Sequence, residues 1–289
     1  MKLTVIVPTR NAERDLPPLL AALSSQTLPH EVLVVDSSSE DATPSLCRQH
    51  PEVELLSIPK ESFNHGGTRD LALRHTDADV IVFLTQDAVP ADGRFLEELT
   101  RPLREGAASL AYARQLPKAD ASPWEALTKR FNYPEHSSLR SSSDLPRLGI
   151  KTFFFSDSAA AYRRDTYLSL GGFETDVKTN EDMFFAAKAI AAGERIAYVA
   201  AACVLHSHNF SLKQQYRRYY IEAYEIARHR ALLAGVPAVS EGKKLFLFVA
   251  KGLLKKGRVL SFFRFGLDCA ARLLGYRAGE RAWEREQTP

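Results

Sequence analysis

The first 90 residues alternate short apolar runs with amphipathic stretches. "LTVIVPTR" at 3–10 is continuously apolar up to Pro8, as expected of a strand buried on both faces. Leucines 16, 19, 20 and 23 fall on one helical face within 13–26, and two prolines occupy the first turn, where no backbone N–H is needed. "EVLVVD" at 31–36 is a second strand and runs into Ser37–Ser39; a helix is expected over 43–49. "VELLSI" at 53–58 is a third strand, "TRDLALRHT" at 68–76 a helix, and "ADVIVFLTQDAVP" at 78–90 a fourth strand ending in Thr85-Gln86-Asp87. Strand and helix in alternation predict an α/β fold with a parallel, doubly wound sheet. Such sheets bind ligands at the carboxyl ends of their strands. Pro8, Thr9 and Arg10, Asp36 and Ser38, and Gln86 with Asp87 then share one rim. The glycine-containing stretch "FNHGGTRD" at 63–70 belongs beside them if its loop leads into the helix.

The second half is less regular. Residues 132–149 are Ser- and Pro-rich and read as a mobile loop. "KTFFFSDSAAAYRR" at 151–164 reads as a strand, and 179–196 contains a helix with Asn180 as N-cap and Gly193 as its stop. "AYVAAACVLHSHNFS" at 197–211 is a strand whose polar exit carries His206 and His208, and 212–234 is a long helical segment. The reading divides the chain into a catalytic domain over 1–235, with halves 1–100 and 101–235, and a helical tail over 236–289.

Charge sharpens that division. Residues 241–289 carry 11 Lys and Arg against 5 Asp and Glu, a net +6, whereas the remainder nets −3. Within 243–276, lysines and arginines interleave with Phe and Leu, the pattern of basic amphipathic helices on an anionic membrane surface. The aromatics cluster with leucines as on a buried face, so no nucleic-acid partner is expected. The three cysteines are scattered without metal-type spacing, which suits a reduced, cytoplasmic setting. The first apolar run is too short for a signal-peptide core, and no transmembrane helix is expected.

The chain lacks GxGxxG, a P-loop, GxSxG and HExxH, which counts against common hydride-transfer, ATP, esterase and zinc-protease chemistries. Acids at strand and helix ends stand out instead: Asp36, Asp87, Glu181 and Asp182, with His206 and His208. A carboxylate facing a pyrophosphate repels it unless a divalent cation lies between them. A second carboxylate can serve as general base toward a hydroxyl. The set suits group transfer from a nucleoside diphosphate.

"TVIVPTRNAERDLPPLLAALSSQ", "EVLVVDSSSEDAT", "VFLTQDAVP", "GGFETD" and "NEDMFFAAKAIAAG" together resemble the inverting family 2 glycosyltransferases of GT-A fold. "FNHGGTRD", "FLTQDAVP" and "VLHSHNFSLKQQYRRYY" narrow the resemblance to bacterial rhamnosyltransferases that use dTDP-L-rhamnose to build surface polysaccharides. The likeness covers about 1–230. It implies a Rossmann-like, mainly parallel mixed sheet flanked by helices, with the tail as an appendage. It also implies a nucleotide pocket from Pro8, Thr9, Arg10, Asp36 and Ser38, with Asp36 on the base and Arg69 near the base and diphosphate. Gly66 would let the backbone approach the ligand, and Asn64, His65, Gln86 and Asp157 are candidates for sugar or diphosphate contacts. Relatives often carry Asn where this chain has Asp70.

Thr85-Gln86-Asp87 occupies the place of the family's D-x-D metal motif with its first acid replaced. The resemblance therefore implies Mg2+ or Mn2+ held by Asp87 with His206 and His208. Asp182 would be the base, and Glu181 its orienting or acceptor-binding neighbour. The implied reaction moves a sugar from a nucleotide donor to a glycan or polyprenyl-linked acceptor, at the inner face of the cell membrane. A donor carried on UDP or GDP, and from another class a sugar-phosphate nucleotidyltransferase, are the rival readings. The second would want a Gly-rich loop after the first strand, where this chain has "PTRNAERD".

Overall fold

The computed structural model describes residues 1–233, 236 and 240–287. Its first half is β1 (Leu3–Thr9), α1 (Leu16–Ser24), β2 (Glu31–Asp36), α2 (Thr43–Arg48), β3 (Val53–Ser57), α3 (His65–His75) and β4 (Val80–Leu84). The second half follows with β5 (Val89–Pro90), α4 (Phe95–Arg104), β6 (Leu110–Leu116), α5 (Pro123–Asn132), β7 (Ser138–Arg140), α6 (Leu145–Leu148) and β8 (Ala159–Arg163). The chain is completed by α7 (Arg164–Ser169), α8 (Glu181–Ala191), β9 (Ile196–Leu205), α9 (Leu212–Arg228), α10 (Ser240–Lys255) and α11 (Val259–Glu286).

The strands form one sheet in the order β3-β2-β1-β4-β8-β6-β9-β5, with β7 also on β9. Strands β1 to β4 are parallel, β8 lies antiparallel between β4 and β6, and β9 runs parallel to β6. The sheet is therefore mixed, as expected. The central runs are unbroken in hydrophobicity because both faces are covered. Ile6, Leu33 and Phe83 face a core with Tyr162, Phe173, Phe184 and Phe185. Val5, Val34 and Val82 face a second one built from Leu16, Leu19, Leu23, Phe95 and Leu99.

Three local expectations are corrected. Helix α3 begins at His65, so the glycine pair lies in its first turn and not in a loop. Asn64 enables this: its Oδ1 accepts the Gly67 N–H at 2.8 Å, a capping bond that offsets the poor helix propensity of glycine. Residues 132–149 fold into β7, a 3-10 turn and α6 instead of one loop. Buried Arg140 pins them, donating to the carbonyls of Lys151 and, at 2.6 Å, Phe154. The strand expected over 151–164 is confined to 159–163; Gly149–Phe153 is a 3-10 helix, and its aromatics reach the core from irregular backbone.

The tail is built into the body. The division expected between 235 and 236 falls partly on residues outside those described. Beyond it, α11 runs along α9, and a Cβ at Gly275 or Gly279 would collide with the carbonyls of Tyr216 or Tyr220. Val249, Leu253 and Phe265 make a small core with Trp124 and Leu127 of α5.

Candidate functional site

The exits of β1, β2 and β4 meet as the rim predicts. Thr9 Oγ1 donates to Asp36 Oδ1 at 3.3 Å, and the Arg10 N–H donates to Gln86 Oε1 at 2.9 Å. Asp36 is buried and accepts from the Ser39 N–H and hydroxyl at 2.9 and 2.5 Å. Pro8 is half-buried, whereas Arg10 and Ser38 are exposed. Asn11, Ser38 and Asn180 have φ of 48°, 55° and 66°. Non-glycine residues pay for that conformation, and here all three sit in loops bordering the rim or the helix that carries Glu181.

Asp87, His206 and His208 converge, their ligand atoms all within 4.8 Å of one another. The two Nε2 atoms are 3.0 Å apart, and each lies 3.4 Å from one Asp87 oxygen. His206 Nδ1 faces Gln115 Oε1 at 2.9 Å, and Lys129 Nζ donates to the same oxygen at 2.5 Å. An ammonium can only donate, so that atom is the amide oxygen and His206 carries its proton on Nδ1. Its Nε2 lone pair is free toward Asp87 and His208, which fits a bound cation. Burial lowers the pKa of both imidazoles, that of His208 to about 4, favouring the neutral form a metal requires. Burial works against the Asp87 charge, but the Lys118 ammonium at 3.6 Å, and any proton that the two imidazoles carry, favour it, and its carboxyl lies below the ordinary range.

The acids of α8 meet the start of β8. Asp182 Oδ2 accepts the Asp157 N–H at 3.1 Å, and Asp182 Oδ1 accepts the Met183 N–H at 2.7 Å. Burial, then the charges of Asp157 and Glu181, raise the Asp182 pKa well above the usual carboxylate range. Its side chain keeps partial exposure on the cavity, as a proton acceptor must. Asp157 is buried; Tyr162 OH donates to it at 2.5 Å, and burial raises its pKa to about 7 despite Arg69.

Arg69 is enclosed by protein partners. It is 4% exposed. Its guanidinium donates to Glu181 Oε1 at 3.1 Å and to the His65 carbonyl at 3.0 Å, with Asp157 at 3.5 Å. The charge is part of the acidic wall that it supports. Gly66 also serves packing: a Cβ there would meet the Glu174 carbonyl at 2.6 Å, so its close approach is to protein backbone and not to a ligand. Asn64 caps α3 and donates to the Val177 carbonyl at 3.0 Å. Asp70 pairs with Arg74 at 2.7 Å and accepts from Tyr167 OH at 3.1 Å. Of that stretch, His65 lines the cavity together with Arg69.

One cavity of about 610 Å3 joins Asp87, Asp157, Glu181, Asp182, His206 and His208. Its other wall escaped the sequence reading: Gln115 from β6, Lys129 and Tyr133 from α5 and its end, Tyr219 and Glu222 from α9, and Arg272 from α11. Arg272 Nη1 donates to Tyr219 OH at 3.2 Å, and its Nε pairs with Asp268 at 2.7 Å. The one available signal was the Tyr- and Arg-rich composition of α9; nothing local marks Gln115, Lys129 or Arg272.

A mixed doubly wound sheet gathers a carboxylate–imidazole cluster and an acid pair around one cavity, while Thr9, Arg10, Asp36 and Ser38 lie outside its lining on the exits of β1 and β2; the architecture is that of the GT-A glycosyltransferases. Residues 4–171 match the family described as glycosyl transferase family 2, and the chain belongs to that family. It is 43% identical over 222 residues to the O-antigen chain rhamnosyltransferase RfbN of Salmonella typhimurium, covering 76% of this chain and 71% of that one. To the O-antigen chain rhamnosyltransferase WbaN of Salmonella anatum it is 41% identical over 220 residues, covering 75% and 70%. Its fold is similar to that of a Pyrobaculum calidifontis mannosyltransferase solved with GDP-Man and Mn2+, with TM-score 0.66 at 20% identity over 98% of this chain and 88% of that one. The chain is thus a glycosyltransferase, and the nucleotidyltransferase rival falls away.

Proposed function

We propose that this enzyme transfers L-rhamnose from dTDP-L-rhamnose to a hydroxyl of a growing lipid-linked glycan, inverting the anomeric carbon. The observation that carries the donor is the 43% identity to an O-antigen chain rhamnosyltransferase over 71% of that protein. Asp182 acts as base. As the acceptor oxygen bonds to the anomeric carbon, the bond to the diphosphate oxygen breaks and the nucleoside diphosphate leaves with the electron pair. The acceptor proton passes to an Asp182 oxygen. Two N–H groups, of Asp157 and Met183, aim the carboxylate, while the dry acidic wall raises its basicity. Arg69 keeps Glu181 and Asp157 in place beneath it. Asp36, Thr9 and Ser38 bound the base pocket, with Pro8 and Arg10 at its mouth. Asp87, His206 and His208 would hold Mg2+ or Mn2+, which when bound neutralises the charge of the diphosphate.

The enzyme works against the inner face of the membrane. Leu260, Phe263, Leu267 and Leu274 form an exposed apolar stripe on α11. Lys251, Lys255, Lys256, Arg258 and Arg264 supply exposed positive charge around it. No helix among the described residues is long and apolar enough to cross a bilayer.

A panel of dTDP-, UDP- and GDP-sugars tests the donor. dTDP-rhamnose should raise the melting temperature and be consumed on an acceptor glycan. Selective turnover of a UDP- or GDP-sugar would replace rhamnose with that sugar.

A further inference from the structure

We infer that Arg228 and Glu225 of α9 are positioning residues for Asp182: they clamp the segment 176–180 and so fix how α8 begins. The inference rests on the reading of Asp182 as base. Neither residue lines the cavity. Glu225 is nonetheless fully buried, and its Oε1 accepts the Lys178 N–H at 3.3 Å. Arg228 Nη1 lies 3.6 Å from the other Glu225 oxygen. The same Nη1 donates to the Asp176 carbonyl at 2.7 Å, and Nη2 donates to the Asp176 carboxylate. A carboxylate taken out of water is unfavourable unless it is paired, so Glu225 and Arg228 act as one unit. His229 extends the grip: its ring packs on Phe184 of α8, 5.0 Å between centroids, and its Nε2 lies 3.6 Å from Asp176.

The clamped segment has little to hold it otherwise. Asp176 and Lys178 are exposed. On the side away from α9, Asn64 Nδ2 donates to the Val177 carbonyl at 3.0 Å, and the Glu174 carbonyl packs over Gly66. The backbone is therefore fixed between α3 and α9.

The segment ends at Asn180, whose φ of 66° and ψ of 18° are left-handed. An N-cap side chain normally accepts the N–H of the second or third helical residue from an extended backbone. Asn180 does not: its side chain makes no capping bond, and its Nδ2 reaches the Glu222 carbonyl of α9 at 3.4 Å. The N–H of the third residue, Met183, goes instead to Asp182 Oδ1 at 2.7 Å. The base thus caps its own helix, and it is aimed because the N-cap side chain is turned away toward α9. Without the clamp, Asn180 can return to the extended conformation that N-caps favour. Its Oδ1 then competes for the Met183 N–H and releases the Asp182 carboxylate from its aim.

The test is steady-state kinetics of the full chain with dTDP-L-rhamnose and an acceptor glycan, joined to hydrogen exchange, which needs neither substrate. Arg228→Met should lower kcat about 10- to 100-fold while both KM values stay within about twofold. Arg228→Lys, which keeps a donor for Asp176, should recover most of that loss. Calorimetry checks that both proteins are folded at the assay temperature. Amides of 176–183 should exchange faster in Arg228→Met, and those of α8 beyond Phe184 should not. On an Asp182→Asn background, Arg228→Met should cost nothing further, because the group it aims can no longer accept a proton. The inference is overturned by an unchanged kcat in Arg228→Met, by a loss confined to KM, or by a full further loss on the Asp182→Asn background. Near-normal turnover of Asp182→Asn alone sinks the reading of the base; a full further loss in a severely impaired Asp182→Asn enzyme sinks only the clamp.

Discussion

At the scale of single residues, the acid pair and its support carry the chemistry. Asp182→Asn keeps the shape of the side chain but removes its ability to accept a proton. Transfer should fall by about 10^2- to 10^4-fold while dTDP binding is unchanged, and turnover within a few-fold of the unaltered enzyme would dismiss Asp182 as base. Asp157 gives a prediction in pH. Its folded pKa is raised to about 7 by burial, above the unfolded value of roughly 3.9. Between those values the folded state holds the extra proton, so stability falls as pH rises from about 4 to about 7 and then levels, by up to roughly 4 kcal/mol. Asp157→Asn removes this slope. Melting temperatures from pH 4.5 to 8 should decline less steeply in the variant; parallel curves would show that the carboxyl does not hold its proton.

At the scale of elements, helix ends and close crossings place the chemistry. Helix α8 starts at Glu181 immediately after Asn180, whose left-handed backbone turns the chain into the cavity. Helix α3 begins on the Asn64 cap and presses its Gly66 turn against the 173–181 segment. The α9–α11 crossing depends on Gly275 and Gly279 in the same way, and it is this crossing that carries Arg272 to Tyr219. Gly279→Val would force the two backbones apart. We expect a loss of roughly 2–4 kcal/mol of stability and a fall in transfer, although residue 279 lines no part of the cavity. An unchanged melting temperature would mean that the crossing does not bind the helices together.

At the scale of the whole molecule, the tail has two faces with different duties. Its inner face completes the cavity through Arg272 and the small core around Phe265; its outer face carries the apolar stripe. Deleting the tail would remove both, so membrane binding is better tested by altering the outer face alone. Leu260→Ser, Phe263→Ser and Leu267→Ser together should leave melting temperature and transfer to a soluble acceptor unchanged but abolish sedimentation with vesicles containing phosphatidylglycerol. Continued sedimentation would exclude the stripe as the membrane contact, and a change from dimer to monomer in light scattering would assign it to a second copy instead.

The sequence by itself determined strands β1 to β4 and β9 and most of the chemical inventory, but not β6 inside the sheet. Strand runs, the α1 leucine stripe and the strand-end acids depend on neighbours a few residues apart, and period and turn chemistry report such neighbours directly. Asp87, His206 and His208 were grouped only through the family resemblance, and they meet because β4 and β9 end on the same side of the sheet. The tertiary structure decided which polar residues face the cavity and which hold it together. Arg69 reads locally as a ligand-binding arginine, yet its partner Glu181 is 112 residues away and the pair is buried. In "FNHGGTRD", Gly66 looked made for a ligand, and its missing Cβ admits the backbone at Glu174. Gln115, Lys129 and Arg272 have no local signature at all. Their roles come from contacts across the sheet edge and between helices, where burial and hydrogen-bond geometry, not sequence spacing, fix what a side chain can do.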